Sequence, residues 1–301
     1  MSYHDPVLLS ESIEGLEISQ NGVYVDATFG GGGHSKAILN AIGQEGRLYA
    51  FDQDEDAANN RIGDNRLIFI LANFRHLKRF LKLNGIRKVN GILADLGVSS
   101  FQLDKPQRGF SYRYEAKLDM RMDKEGPLTA ADIVNTYDAG QLQQLLSKYG
   151  EVRNAKTVAQ ALVSATATKK IKTTGDLLMI LDPLVRGNRA RYLAQVFQAL
   201  RIEVNDEMGA LEDFLSQSLE VLQPGGRLVV ISYHSLEDRM VKNFVKKGTF
   251  DGQVIKDDYG NIYRPFKEVV KKTILPSQAE IDQNPRARSA KLRIAEKLLI
   301  E

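Results

Sequence analysis

Residues 23–34, Val23-Tyr-Val-Asp-Ala-Thr-Phe-Gly-Gly-Gly-Gly-His34, decide the fold. Val23 and Val25 alternate with Tyr24 and Asp26, as in a strand with one buried apolar face. Four glycines, Gly30 to Gly33, follow at once, and Ser35 to Ile42 then reads as a helix. Strand, glycine turn and helix start in that order make a pocket for a nucleotide-like ligand. Glycine admits positive φ and lets a ligand approach without meeting a Cβ, and the helix N-terminus adds unpaired N–H donors. The run departs from the dinucleotide fingerprint, because Ser35 or Lys36 stands where a third glycine belongs. A tight structural turn is therefore the competing reading.

Asp52 favours the ligand loop. It lies nineteen residues after Gly33, at the end of a second strand-like run, Arg47 to Phe51. A carboxylate there can accept hydrogen bonds from both hydroxyls of a ribose. The bland alternative is a helix N-cap before Glu55.

Working outward, Ser10 to Leu16 reads as a short helix and Asp54 to Ile62 as another. Leu67 to Leu71 reads as a third buried strand. Phe74 opens a helix with Leu77, Phe80, Leu81 and Leu83 on one stripe, and Gly91 to Asp95 forms a fourth strand. Strands alternating with helices at these intervals imply an α/β, doubly wound, mostly parallel sheet. The alternation stops between Lys105 and Asn205, where helical patterns replace it. Thr129 to Asp132 resembles a capping box. Leucine and alanine faces follow at 142–146, 158–165 and 177–184. We expect residues 105–205 to be an all-helical insertion in a ligand-binding domain made of 1–104 and 206–301. The α/β pattern resumes with a helix from Asp206 to Leu222, a turn at Gln223-Pro-Gly-Gly226 and a fifth strand, Arg227 to Ile231. Ser232-Tyr-His-Ser235 follows, with Ser235 placed to cap the helix from Leu236 to Lys247. Glu268–Ile274 and Ser289–Ala295 both alternate and could close the sheet as an antiparallel pair, joined across a flexible basic linker at Pro285–Arg288.

Composition narrows the class. A chain of 301 residues with 43% hydrophobic content holds a core of ordinary size. No apolar run approaches the roughly 18 residues of a membrane span, and no signal-peptide core appears. There is no cysteine, hence no disulfide framework or thiolate metal site. His4, His34, His76 and His234 lack paired metal-ligand spacing, so no metal is expected. A cytoplasmic enzyme fits best. Net charge is +3, unevenly spread: residues 105–205 hold sixteen Lys and Arg against ten Asp and Glu. That excess of +6 suggests a polyanionic partner, although a solvated helical surface would look the same.

Two activities share this architecture. A dehydrogenase would show a second βαβαβ half. Here helices replace it, and the Pro224-Gly-Gly226 turn before a strong fifth strand favours a methyltransferase. The stretches Asp26 to Phe29, Gly32 to Ser35, Asp95-Leu-Gly-Val-Ser-Ser100, Gln102 to Asp104, Arg108 to Ser111, Leu118-Asp-Met-Arg-Met-Asp123, Gln198 to Asn205 and Ser232 to Arg239 closely resemble the bacterial 16S ribosomal RNA (cytosine-N4)-methyltransferases. The resemblance spans nearly the whole chain and departs at Gly31 and Phe101. It implies a Rossmann-like, seven-stranded class I methyltransferase fold and S-adenosylmethionine as cofactor. It further implies cofactor contacts at Gly32, Gly33, His34, Asp52, Phe74, Asp95 and Gln102, and cytidine N4 of 16S rRNA, free or within the small ribosomal subunit, as target. Core packing for Phe74 and turn capping for Asp95 are the ordinary alternatives.

An exocyclic amine is a poor nucleophile because its lone pair is delocalised into the ring. The site must accept its hydrogen bonds and hold it in line with the methyl carbon. Candidates for that chemistry are Asp95, Ser99, Ser100 and His234. Lys169, Lys170 and Lys172, with Arg186, Arg189 and Arg191, are candidates for gripping RNA phosphates. A non-catalytic RNA-binding factor and a DNA amino-methyltransferase are the rival functions. The sequence leaves the subunit number open, a homodimer included.

Overall fold

The computed structural model describes residues 6–98, 106–256 and 258–299. Chain contacts divide the protein into two units, Met1–Gly97 with Gly209–Glu301, and Val98–Met208.

The first unit is built on a seven-stranded sheet ordered β3-β2-β1-β4-β5-β7-β6. Its strands are β1 (Val23–Asp26), β2 (Arg47–Asp52), β3 (Leu67–Leu71), β4 (Val89–Asp95), β5 (Leu222–Ser232), β6 (Phe266–Glu268) and β7 (Lys291–Lys297). The first five pair in parallel, while β7 runs antiparallel to both β5 and β6. Central strands are buried along nearly their whole length, as parallel strands covered on both faces must be. Helices α1 (Leu9–Leu16) and α2 (Gly33–Ala41) help cover the sheet. Leu8, Leu16, Ile38, Leu48, Leu93, Val229 and Leu292 form one apolar cluster there. Residues 223–226 of β5 stand opposite the single residue Asn90, an excess of three, where the register against β4 jumps from Val89–Leu222 to Gly91–Arg227. Gly225 supplies the positive φ that this Pro-Gly-Gly bend needs.

The structure departs from sequence expectation at five places in this unit. Residues 54–62 are a 3-10 turn, Glu55–Asn60, not an α-helix. β3 is an edge strand and only Ile70 in it is buried. The helix after Phe74 begins as a 3-10 turn and continues as α3 (Leu77–Leu83), burying Leu77 and Leu81 but leaving Leu83 71% exposed. The supposed flexible linker is a 3-10 turn, Pro285–Ser289, after the short helix Gln278–Gln283. Pro285 presets φ at its first position and the Asn284 side chain accepts from Arg286 N. Finally, β6 covers only Phe266–Glu268, and the chain meets β7 again in a single bridge, Ile274–Leu292.

The second unit is helical: α4 (Ala130–Thr136), α5 (Ala139–Gly150), α6 (Ala155–Thr166), α7 (Thr174–Leu181) and α8 (Arg189–Asn205). Thr129, Asp138 and Thr173 each close a capping box. Leu142, Leu146, Val158, Leu162, Leu177, Leu181, Val196 and Leu200 pack one core. Asn205 clamps the segment 118–123: its Nδ2 donates to the Met120 carbonyl at 2.9 Å and its Oδ1 accepts from Met122 N at 2.7 Å. This holds buried Met120 at φ 62, where a non-glycine residue is strained. Helix α9 (Glu207–Val221) leads back into the first unit.

Candidate functional site

In a doubly wound sheet, ligands bind at the carboxyl edge where strand order reverses. Here that point lies between β1 and β4, and the four adjacent strands end in Asp26, Asp52, Asp95 and Ser232.

The loop after β1 is tied to its neighbours on both sides. Phe29 N donates to Phe51 O on β2, and Ala27 N to Leu93 O on β4. Thr28 N donates to Asp26 Oδ1 at 3.0 Å, and the Thr28 hydroxyl accepts from Asp95 N at 2.7 Å. Ser35 Oγ donates to Asp26 Oδ2 at 2.7 Å. Asp26 is fully buried, and that desolvation pushes its carboxyl up to about 6 against the two hydrogen bonds. The sequence reading missed Asp26, Thr28 and Ser35 as a working group, although all three lie in the stretches it quoted.

Gly30 and Gly32 take φ +51 and +77. A Cβ on Gly30 would meet only the Thr28 carbonyl at 3.9 Å, so the loop surface there is open. Gly33 is glycine for another reason, since its Cβ would lie 2.5 Å from Pro6. Asp52 receives Gly30 N on Oδ2 and Asp54 N on Oδ1, both at 2.8 Å. Asp54, not Asp52, caps the turn that follows. Each Asp52 oxygen keeps a lone pair for a second donor. Burial pushes this carboxyl up to about 6, with the two backbone hydrogen bonds opposing. Across the mouth, Phe74 is half-buried and sits edge-on to Phe214 at 5.2 Å. Asn73 Nδ2 donates to Gln53 Oε1 at 2.7 Å, joining the loops after β2 and β3. The sequence reading singled out neither Asn73 nor Gln53.

Asp95 is likewise pushed up to about 6 by desolvation, opposed by His34 and by the Tyr233 hydroxyl, which donates to Oδ1 at 2.7 Å. His34 is only 5% exposed. Its Nε2 lies 3.1 Å from the Val7 carbonyl, and its Nδ1 is 3.9 Å from Asp95 Oδ2. Desolvation lowers its pKa, against the pull of Asp95 and the hydrogen bond to Val7, and Nε2 can meet the Val7 carbonyl only as an N–H donor. His34 is thus a wall of the site more than an exposed donor. Tyr233 was not selected from the sequence, despite standing inside the quoted Ser232 to Ser235.

His234, not Ser235, is the N-cap of α10 (Ser235–Lys247). Its Nδ1 accepts from Glu237 N at 3.4 Å, and the Glu237 carboxylate accepts from Tyr233 N and His234 N. Nε2 is 3.1 Å from Glu237 Oε1 but lacks hydrogen-bond geometry, so we count this as proximity only. Ser99, Ser100 and Gln102 lie outside the described residues.

The six basic candidates on the helical unit are all exposed but form two groups. Lys169, Lys170 and Lys172 precede α7, whereas Arg186, Arg189 and Arg191 follow it. The eight residues of α7, about 12 Å of helix, lie between them along the chain. Lys169 pairs with Asp176 at 2.8 Å, and Arg189 forks onto Asp182 at 2.7 and 3.0 Å.

The donor set suits a cationic nucleoside cofactor. Asp52 offers a diol acceptor, Gly30 leaves open backbone and Phe74 offers a ring face. The cluster of desolvated carboxylates favours positive charge.

Comparison with known proteins agrees. Residues 1–298 match the MraW methylase family. Ribosomal RNA small subunit methyltransferase H of Cytophaga hutchinsonii is 58% identical, with 98% of this chain and 99% of that protein covered. The same-named proteins of Phocaeicola vulgatus and Flavobacterium psychrophilum are 54% and 56% identical, covering 98% and 96% of this chain and 97% and 100% of theirs. The chain belongs to the MraW methylase family.

Proposed function

We propose that this chain is the cytoplasmic enzyme that transfers the methyl group of S-adenosylmethionine to the exocyclic N4 of a cytidine in 16S rRNA, free or within the small ribosomal subunit. Family membership and the names of its relatives support the methyltransferase class and the ribosomal RNA. Among the described residues no helix is long and apolar enough to cross a membrane. The observation that carries the reading is Asp52: a desolvated carboxylate whose two oxygens are each held by one backbone N–H beside an open glycine turn.

In this assignment Asp52 accepts the ribose hydroxyls. Phe74 lies against the base, Gly32, Gly33 and His34 shape the wall at the methionine end, and Gln102, outside the described residues, is kept as the further cofactor contact that the family resemblance implies. Asp95 accepts a hydrogen bond from the cytosine amine, aligning the nitrogen lone pair. A bound donor would supply a methyl carbon made electrophilic by a sulfonium, and Asp95 would take the proton that the amine gives up on methylation. Ser99 and Ser100 follow Asp95 in sequence and are assigned to positioning the base. His234, with its ring engaged at the α10 cap, is assigned to support and not to proton transfer. The groups at Lys169, Lys170 and Lys172 and at Arg186, Arg189 and Arg191 hold phosphates.

Incubation with labelled cofactor and small ribosomal subunits, free 16S rRNA or duplex DNA, followed by nucleoside analysis, tests this. We expect label in N4-methylcytidine from rRNA. Label in DNA would favour the DNA amino-methyltransferase, and absence of donor binding by calorimetry would favour a scaffold.

A further inference from the structure

The +3 net charge conceals a second polarisation. Residues 1–104 with 206–238 carry −9, whereas residues 239–301 carry +6, as large an excess as residues 105–205 hold. In this last stretch the cations differ in their surroundings. Lys246 pairs with Glu268, and Lys291 and Arg293 pair with Asp238. Lys256, Arg264, Lys267, Lys271 and Lys272 are exposed.

These five flank a short antiparallel arm. Lys256 bridges Ile262, Tyr263 N donates to Ile255 O at 2.9 Å, and Gly260 turns the tip at φ +85. The base of the arm is firmly seated. Phe250 stacks on Phe244 at 5.0 Å, Phe266 meets the same ring at 5.8 Å, and the Tyr263 ring fills the space where a Gly248 Cβ would stand. The tip is the opposite: Tyr259 is 92% exposed. Val254, Ile255, Ile262, Val269 and Val270 are exposed along the same segment.

Lysines on an edge strand commonly guard against edge-to-edge pairing, and Lys267 on β6 serves that end. Guarding does not explain an exposed aromatic tip among unburied aliphatics. A basic rim around stacking and apolar groups is the composition that binds single-stranded nucleic acid, with cations on phosphates and a ring on a base. We propose that residues 254–272 form a contact arm for single-stranded RNA, with a base stacked on Tyr259 and phosphates held by Lys256, Arg264, Lys271 and Lys272. This rests on the rRNA substrate read above and adds a surface on the methyltransferase unit itself.

The test uses the full chain and a fluorescent 16S rRNA fragment, with binding measured over a series of KCl concentrations. Changing Lys256, Arg264, Lys271 and Lys272 together to Gln should lower the slope of log K against log salt by about 3, from about 0.7 per phosphate contact on a single strand. Tyr259→Ala alone should weaken binding about tenfold. Both variants should keep wild-type thermal midpoints and S-adenosylmethionine affinity. A wild-type slope and affinity in both would overturn the arm while leaving the rRNA reading intact. Weakened binding to assembled subunits but not to naked rRNA would also overturn it, by indicating a ribosomal protein as the partner. No rRNA binding by the unaltered chain would overturn both readings.

Discussion

Asp95 is tuned by one phenol. Tyr233 donates to Oδ1, and that bond opposes the desolvation that raises the carboxyl. Tyr233→Phe removes the donor and keeps the ring, so the Asp95 pKa should climb above about 6 and more of the group should be protonated at neutral pH. The acid limb of the pH–rate profile should then move to higher pH, with donor affinity above pH 7.5 unchanged. An unmoved acid limb would detach Tyr233 from the chemistry. Asp52→Asn makes a sharper demand: one oxygen becomes an amide donor, so a diol loses an acceptor and a buried donor is left to satisfy. Calorimetry should show S-adenosylmethionine binding weakened about 100-fold with the melting midpoint nearly unchanged; wild-type affinity would remove Asp52 from the ribose. The position of Asp52 at a strand end could be read from its spacing after the glycines, whereas Asp95 was singled out only by the family resemblance. Tyr233 and Asp26 were not singled out, because their value lies in tertiary contacts, with Asp95 138 residues away in one case and with Ser35 on α2 in the other.

At the scale of elements, His234, a candidate for the chemistry, occupies a helix cap. A histidine after a buried strand invites a chemical role, and Ser235 beside it looked like the better cap. The chain enters α10 one residue earlier, so the imidazole takes the capping position and Glu237 returns the bond. His234→Ala should therefore cost about 1 kcal/mol, a few degrees at most in Tm, and leave turnover at saturating donor near wild type. A hundredfold loss of turnover with an unchanged Tm would restore it to the reaction. The helix start at Ala130 was read from the Thr129 capping box, and those at Ala139 and Thr174 use the same local chemistry at Asp138 and Thr173, which depends on three or four neighbouring residues. Burial of β3 was misread because its apolar run fits a central strand equally well, and only sheet order places it at the edge. The arginine group after α7 is a further element-scale case. Arg189 already forks onto Asp182, whereas Arg186 and Arg191 are exposed. Neutralising all three should lower the salt slope of rRNA binding by about 2, with Arg189 contributing least; an unchanged slope would take this group off the RNA.

For the whole molecule, three desolvated carboxylates gathered at one sheet edge make proton binding and cofactor binding opposed. Asp26, Asp52 and Asp95 are each raised to about 6 from an ordinary value near 3.8, with burial the largest cause in every case. A carboxyl raised in the folded state favours folding while it is protonated. That contribution is complete below the unfolded value and is lost as pH rises through about 6. Without its donor, this corner of the fold is therefore least favourable above pH 6. A sulfonium and an ammonium reverse the balance, because a nearby positive charge lowers carboxyl pKa values. Donor binding should then tighten as pH rises towards 6, by about tenfold per pH unit for each carboxylate that must ionise, and level off above about 7. It should release protons most strongly below pH 6, about half as many at pH 6 and almost none by pH 8. Calorimetry in two buffers of different ionisation enthalpy measures the release directly, and the thermal shift at a fixed donor excess should grow over the same interval. Pairing could be inferred from alternating strands and helices, but this clustering could not, because it depends on the sheet order that sets β1 between β2 and β4. If affinity proved flat from pH 5 to 8 with no proton release, the carboxylates would not face the cation, and the placement of the donor over Asp52 and Asp95 would fail with them.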